Sequence, residues 1–201
     1  MGSIDKYSNL GIEYNWVVDF LKNSTKMIEE GSGLGSNKDK NLWKFLADVD
    51  MVIRGKITSF GYRIIDLVEK KEEVTAWGLI YCNWAYTSQI NWWITHIDFD
   101  KEYSSDMIKM LFDSSMTKNS KDHVVSAFKN IFASNPILGE SLGQGICTLE
   151  PNKEKRYLIS IRKAQWEDPD PRVILYSLYK FADKCDGYYD FRLSYFSTGL
   201  I

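Results

Sequence analysis

Two short clusters hold the side chains of this sequence best suited to chemistry with a polyanion. Lys38, Lys40, Asn41 and Lys44 form the first, and Lys118, Asn119, Lys121 and His123 form the second. Arg54 and Lys56 flank Gly55 between Met51-Val52-Ile53 and Ile57-Thr58. Lysine and arginine neutralise phosphates, while asparagine and histidine can reach base edges. These types at this density point to nucleic-acid contact rather than to bond cleavage. The plainer reading of a polar helix face is solvated surface, and it stays open.

Hydrolytic chemistry would need clustered ligands, or a nucleophile beside a base. His96 and His123 are the two histidines, and neither has metal-ligand spacing. Asp98 and Asp100 lie on one side of an extended segment, a pattern that can hold magnesium. A strand-nicking activity would bring in that ion; otherwise no cofactor is expected, and no metal site is assigned. Asp168 with Asp170, and Asp183 with Asp186, read as caps and turns. The run from Gly31 to Lys38 has the glycines of a phosphate loop but not the spacing, because Asn37 precedes Lys38. A helix cap after a turn is the simpler reading, with Ser36 or Asn37 as the capping residue. Cys82, Cys147 and Cys185 are an odd number without paired spacing, so inert reduced thiols are expected.

Composition bounds what can position these groups. The chain has 201 residues, 44% hydrophobic and 14% aromatic, enough for one sizeable core or two small ones. No apolar run is long enough to cross a bilayer, and the first residues lack the apolar stretch of a secretory signal, so a cytoplasmic protein is expected. The formal net charge of −2 is unlike that of a nucleic-acid coat. DNA contact would require the positive groups to gather on one face.

Hydrophobic spacing predicts helices over 14–30 and 38–49, then a short hairpin around Gly55. Helix, helix and a basic-tipped hairpin is the order of a winged helix. Helices follow over 62–69, 74–86 and 90–97, carrying Trp77, Trp84, Trp92 and Trp93, with core packing favoured over base stacking for the tryptophans. A second such order begins near Ser105: a helix over 106–114, a helix from Ser120 to Ala133, then a hairpin from Ile146 to Ile161 turning at Pro151-Asn152-Lys153. A last helix spans 171–183, and Phe196 to Ile201 reads as a strand. The expected class is mainly α with small β-hairpins (α+β). Winged-helix units at 1–70 and 105–165 flank an aromatic helical middle at 71–104, with a C-terminal helix and tail at 166–201.

The order of several short blocks resembles the domain-of-unknown-function 4007 family, associated with DNA phosphorothioation and SspB-like. Leu34 to Leu46 followed by Ile57-Thr-Ser-Phe-Gly61 is similar to its first block. Val74-Thr-Ala-Trp77 with Ala85 to Trp93 is similar to its aromatic helical region, and Ser120 to Pro136 to a later one. The resemblance runs from about Tyr14 to Ile201. Only Tyr14-Asn15-Trp16 matches the end of the family's histidine-containing N-terminal stretch. It implies a role in bacterial defence beside sulfurtransferase and ATPase partners that exchange a phosphate oxygen of DNA for sulfur. The implied function is DNA binding that assists strand nicking, with contact carried by Lys38, Lys40 and Asn41. An adaptor that recruits those partners without touching DNA is the alternative.

Overall fold

The computed structural model describes residues 4–150 and 157–185. The predicted turn at 151–153 and the segment 196–201 lie outside them. α1 (Tyr14–Glu30) buries Trp16, Val17, Phe20, Leu21 and Met27, one side of a helix, and bends at Asn23. Gly31 and Gly33 take positive φ before α2 (Ser36–Asp48). The N-cap of α2 is Gly35 with no side-chain bond, not Ser36 or Asn37. The hydroxyl of Ser32 and the indole of Trp43 both donate to Asp39, whose carboxylate sits in the first turn and complements the helix dipole.

β1 (Val52–Ile53) and β2 (Lys56–Ile57) pair Val52 with Ile57 and Ile53 with Lys56. The two tip residues, Arg54 and Gly55, both have positive φ. That is the geometry whose twist matches two flanking strands. Thr58 then caps α3 (Ser59–Glu69), accepting from the Gly61 amide at 2.9 Å, so this helix begins three residues before the predicted Tyr62.

α4 (Glu73–Trp84) is apolar on nearly every side, and most of its residues are buried, as befits a helix enclosed by others. α5 (Ser88–His96) follows after a short corner. Trp77, Trp84 and Trp93 are at most 1% exposed, so core packing accounts for them. Their polar edges are not wasted. Trp84 Nε1 donates to Tyr7 Oη at 3.1 Å, and Trp93 Nε1 to the Gln144 carbonyl at 2.8 Å.

The second half holds a strand that the sequence pattern did not reveal, β3 (Glu102–Tyr103). α6 (Ser105–Met110) and α7 (Lys118–Ser134) come next, then one π-type turn over Ile137–Ser141. Thr117 caps α7, so the helix begins at Lys118, two residues before the predicted Ser120: the Thr117 hydroxyl accepts from the Ser120 amide at 3.2 Å. β4 (Ile146–Glu150) and β5 (Tyr157–Arg162) form the hairpin, and β3 joins the far side of β5, giving the antiparallel order β3-β5-β4. Tyr103 and Cys147 both sit opposite Ile161. α8 (Pro171–Lys184) lies across α4. The class is mixed α+β. One cluster of buried apolar side chains runs from Tyr7 to Val173, through all four predicted units. None of the helices among the described residues is long and apolar enough to cross a membrane.

Candidate nucleic-acid interface

The positions of the predicted contact residues are decided by residues 4–13, which run as a strap between α2 and α7. On the α2 side, Asn41 Nδ2 donates to the carbonyls of Tyr7 (2.7 Å) and Gly11 (3.3 Å). Lys44 Nζ donates to the Lys6 carbonyl at 2.5 Å, Lys6 pairs with Asp48, and Tyr7 Oη donates to Asp48 at 2.6 Å. On the α7 side, His123 Nδ1 lies 3.7 Å from Asp5, and Asn130 Nδ2 donates to the carbonyls of Asn9 and Leu10. Gly11 has φ +62, and a Cβ there would stand 2.7 Å from the Ala127 carbonyl, so only glycine lets the strap lie this close.

Three predicted contacts therefore point inward. Asn41 is 7% exposed with both amide hydrogens in use, so it cannot also read a base. Lys44 is half-buried, and burial followed by the charge of Lys6 pulls its pKa down. His123 faces Asp5. Lys121 is half-buried with Nζ 3.4 Å from the Phe112 carbonyl. The outward set is Lys38, Lys40, Arg54, Lys56, Lys118 and Asn119. Lys38 lies over the Trp16 ring at 5.4 Å, a cation–π contact that orders its stem without using its charge.

Nor does the outward set form one patch. Along α7 the strap contacts rise from Asp5 at His123 to Leu10 at Asn130; along α2 they fall from Gly11 at Asn41 to Lys6 at Asp48. The two helices thus pass the strap in opposite senses. Lys38 and Lys40 sit at one end, and Lys118 with Asn119 at the other. Arg54 and Lys56 belong to the separate β1–β2 tip.

The uncovered side of α7 carries more than its first turn. With Val124, Ala127, Phe128 and Ile131 turned inward, helical spacing leaves Lys118, Asn119, Asp122, Ser126, Lys129 and Ala133 along the outer stripe. Its C-terminal half floors a groove walled by Leu149, Tyr157 and Leu158 of the hairpin. Tyr157 and Ile159 are exposed while Leu158 between them packs against the core, a period-two signal for a strand with one covered face. Beside the stripe, Lys109 meets Asp122 at 2.7 Å and Asp106 at 3.4 Å.

Of the acidic pairs, Asp98, Asp100 and Asp170 each have partners of their own. Asp98 accepts from Tyr103 Oη at 2.8 Å and lies 3.4 Å from Lys101, contacts that lower its pKa, while Asp100 meets Arg162 at 2.9 Å. Asp170 caps α8, accepting from the Arg172 amide at 2.8 Å, and Asp186 lies outside the described residues. Among the described residues no three metal-ligating side chains come together. The thiols of Cys82 and Cys147 are pushed up to about 12 by burial, which keeps them protonated and poorly nucleophilic. Comparison with family profiles, curated proteins and solved structures found no match.

Proposed function

We propose that the chain is a DNA-binding component of a bacterial DNA phosphorothioation system, with α7 as the helix presented to the duplex. One observation carries the reading. From α5 onward the order is helix, strand, helix, helix, hairpin, and the lone strand β3 lies beside β5 rather than β4. This is the order of a winged helix, in which the second helix of the pair enters the major groove and the hairpin flanks it. The outer stripe of α7 starts with exposed Lys118 and Asn119, the end from which such helices reach base edges. The N-terminal end of α2 and the β1–β2 tip are two further basic features elsewhere on the molecule. The phosphorothioation context comes from the family resemblance, and no residue is assigned to nicking.

Fluorescence anisotropy on a labelled duplex over rising salt tests the reading. The logarithm of the binding constant should fall linearly with that of salt. Lys118→Ala should weaken binding on every sequence and reduce that slope by about one. Absence of binding at low salt removes the proposal.

A second reading, a protein adaptor for the sulfurtransferase and ATPase, is favoured by exposed apolar side chains. Met110 is 81% exposed, with Met107 near it on α6 and Leu111 just after the helix. Met110→Ser should abolish co-purification with those partners and leave DNA affinity unchanged if this surface recruits them.

A further inference from the structure

Where α6 turns into α7, an open cleft of about 470 Å³ is lined by Lys109, Lys118 and Lys121, by Asp106, and by Met110 and Met116. Its cations are not equivalent. Lys109 is held by Asp122 at 2.7 Å and Asp106 at 3.4 Å, and Lys121 Nζ lies 3.4 Å from the Phe112 carbonyl. Lys118 is exposed and has no ion pair among the described residues, so its charge is open to an anion. The methionines add a different chemistry. Met110 is the last residue of α6 and Met116 stands just before the Thr117 cap of α7. Each carries a thioether, a polarisable group that donates no hydrogen bond.

An ordinary phosphodiester suits this lining on one side only. Both of its non-bridging oxygens are strong acceptors, and the one turned to the methionines would lose water without gaining a donor. In a phosphorothioate diester, sulfur replaces one of these oxygens. It is larger, more polarisable and a weaker acceptor, so it packs on a thioether at little cost while the remaining oxygen meets a lysine. We propose that the cleft seats a phosphorothioate linkage, with oxygen towards Lys118 and sulfur against Met110 and Met116. The inference rests on the DNA reading above and names the form of the substrate: a backbone that already carries sulfur, so that the chain acts after the sulfur-inserting reaction rather than before it. Because lysine and methionine line different parts of the cleft, a single configuration at phosphorus presents the sulfur to the methionines.

The test measures binding of the full chain, at one salt concentration, to three duplexes of the same sequence. One is unmodified, and in the others every linkage of one strand is a phosphorothioate of Rp or of Sp configuration, which removes any dependence on register. One configuration should bind about fourfold tighter than the unmodified duplex, the scale of covering one methylene-sized apolar group, and the other should gain nothing. Met110→Ser should erase that preference and leave affinity for the unmodified duplex unchanged, whereas Met110→Leu, which keeps the wall apolar, should retain it. Thermal melts of both variants check that this position, 81% exposed, leaves the fold intact. Equal affinity for all three duplexes, an equal gain for both configurations, or a preference that survives Met110→Ser overturns the sulfur seat while leaving the duplex reading in place. Absence of binding to any duplex overturns both.

Discussion

The amide of Asn41 gives both hydrogens to carbonyls of the strap, and that commits a residue whose type alone suits base recognition. Removing it leaves the Tyr7 carbonyl with only the Gly11 amide and takes the Asn41 donor from the Gly11 carbonyl, at about 1–3 kcal/mol. Asn41→Ala should therefore lower stability by that amount in urea unfolding, with the DNA affinity of the folded protein unchanged; a selective loss of affinity at full stability would return Asn41 to the interface. Residue type made Lys118 and Asn119 legible as outward groups, since nothing later among the described residues covers them. It could not do so for Asn41, Lys44 and His123. Their direction depends on residues 4–13, which have neither helical nor strand periodicity and so gave no hint that they pass between two helices.

Elements were legible where apolar spacing is regular, as along α1, α4, α7 and α8. They were not where a tertiary partner decides. β3 is two residues long and exists because β5 offers it an edge. α2 starts at a glycine without a side-chain cap, and the Asp39 carboxylate in its first turn is held by Ser32 and Trp43. α8 shows the opposite case, a conventional cap. Asp170 accepts from the Arg172 amide and from Thr75, and Arg172 holds its carboxyl well below the usual aspartate range. Asp170→Ala should cost about 1 kcal/mol, as lost N-caps do. The depressed pKa fixes the sign of the pH dependence. The carboxylate's contribution is complete above the unfolded value of about 3.9 and is lost as pH falls through the lower native one. The gap in urea midpoint between the native protein and Asp170→Asn should thus shrink from about pH 5 to about pH 2; a constant gap would mean that the charge contributes nothing. Close packing between elements gives a further prediction. A Cβ at Gly145 would lie 2.2 Å from Phe132 Cγ, just before β4. Gly145→Ala should cost about 1–3 kcal/mol by displacing that ring, read as a lowered melting temperature; an unchanged one would show that Phe132 can retreat freely.

At the scale of the whole molecule, the acidic total and the scattered lysines have to be reconciled with binding a polyanion. Gathering all the basic groups on one face would have answered the net charge of −2. The strap prevents it, because α2 and α7 pass it in opposite senses and their N-terminal lysines end up apart. Each end must then act on its own, with the local field of a few cations, and screening confines that field to about 8–10 Å at ordinary salt. Groups so separated should contribute independently. The losses in binding free energy from Lys38→Ala with Lys40→Ala, and from Lys118→Ala, should sum in the triple variant to within about 0.5 kcal/mol, measured by anisotropy on one long duplex. If only Lys118→Ala weakens binding, the sum still holds, and α7 alone faces the DNA. A coupling well above that margin would require both lysine groups to share one stretch of phosphates, which the opposed course of α2 and α7 along the strap forbids.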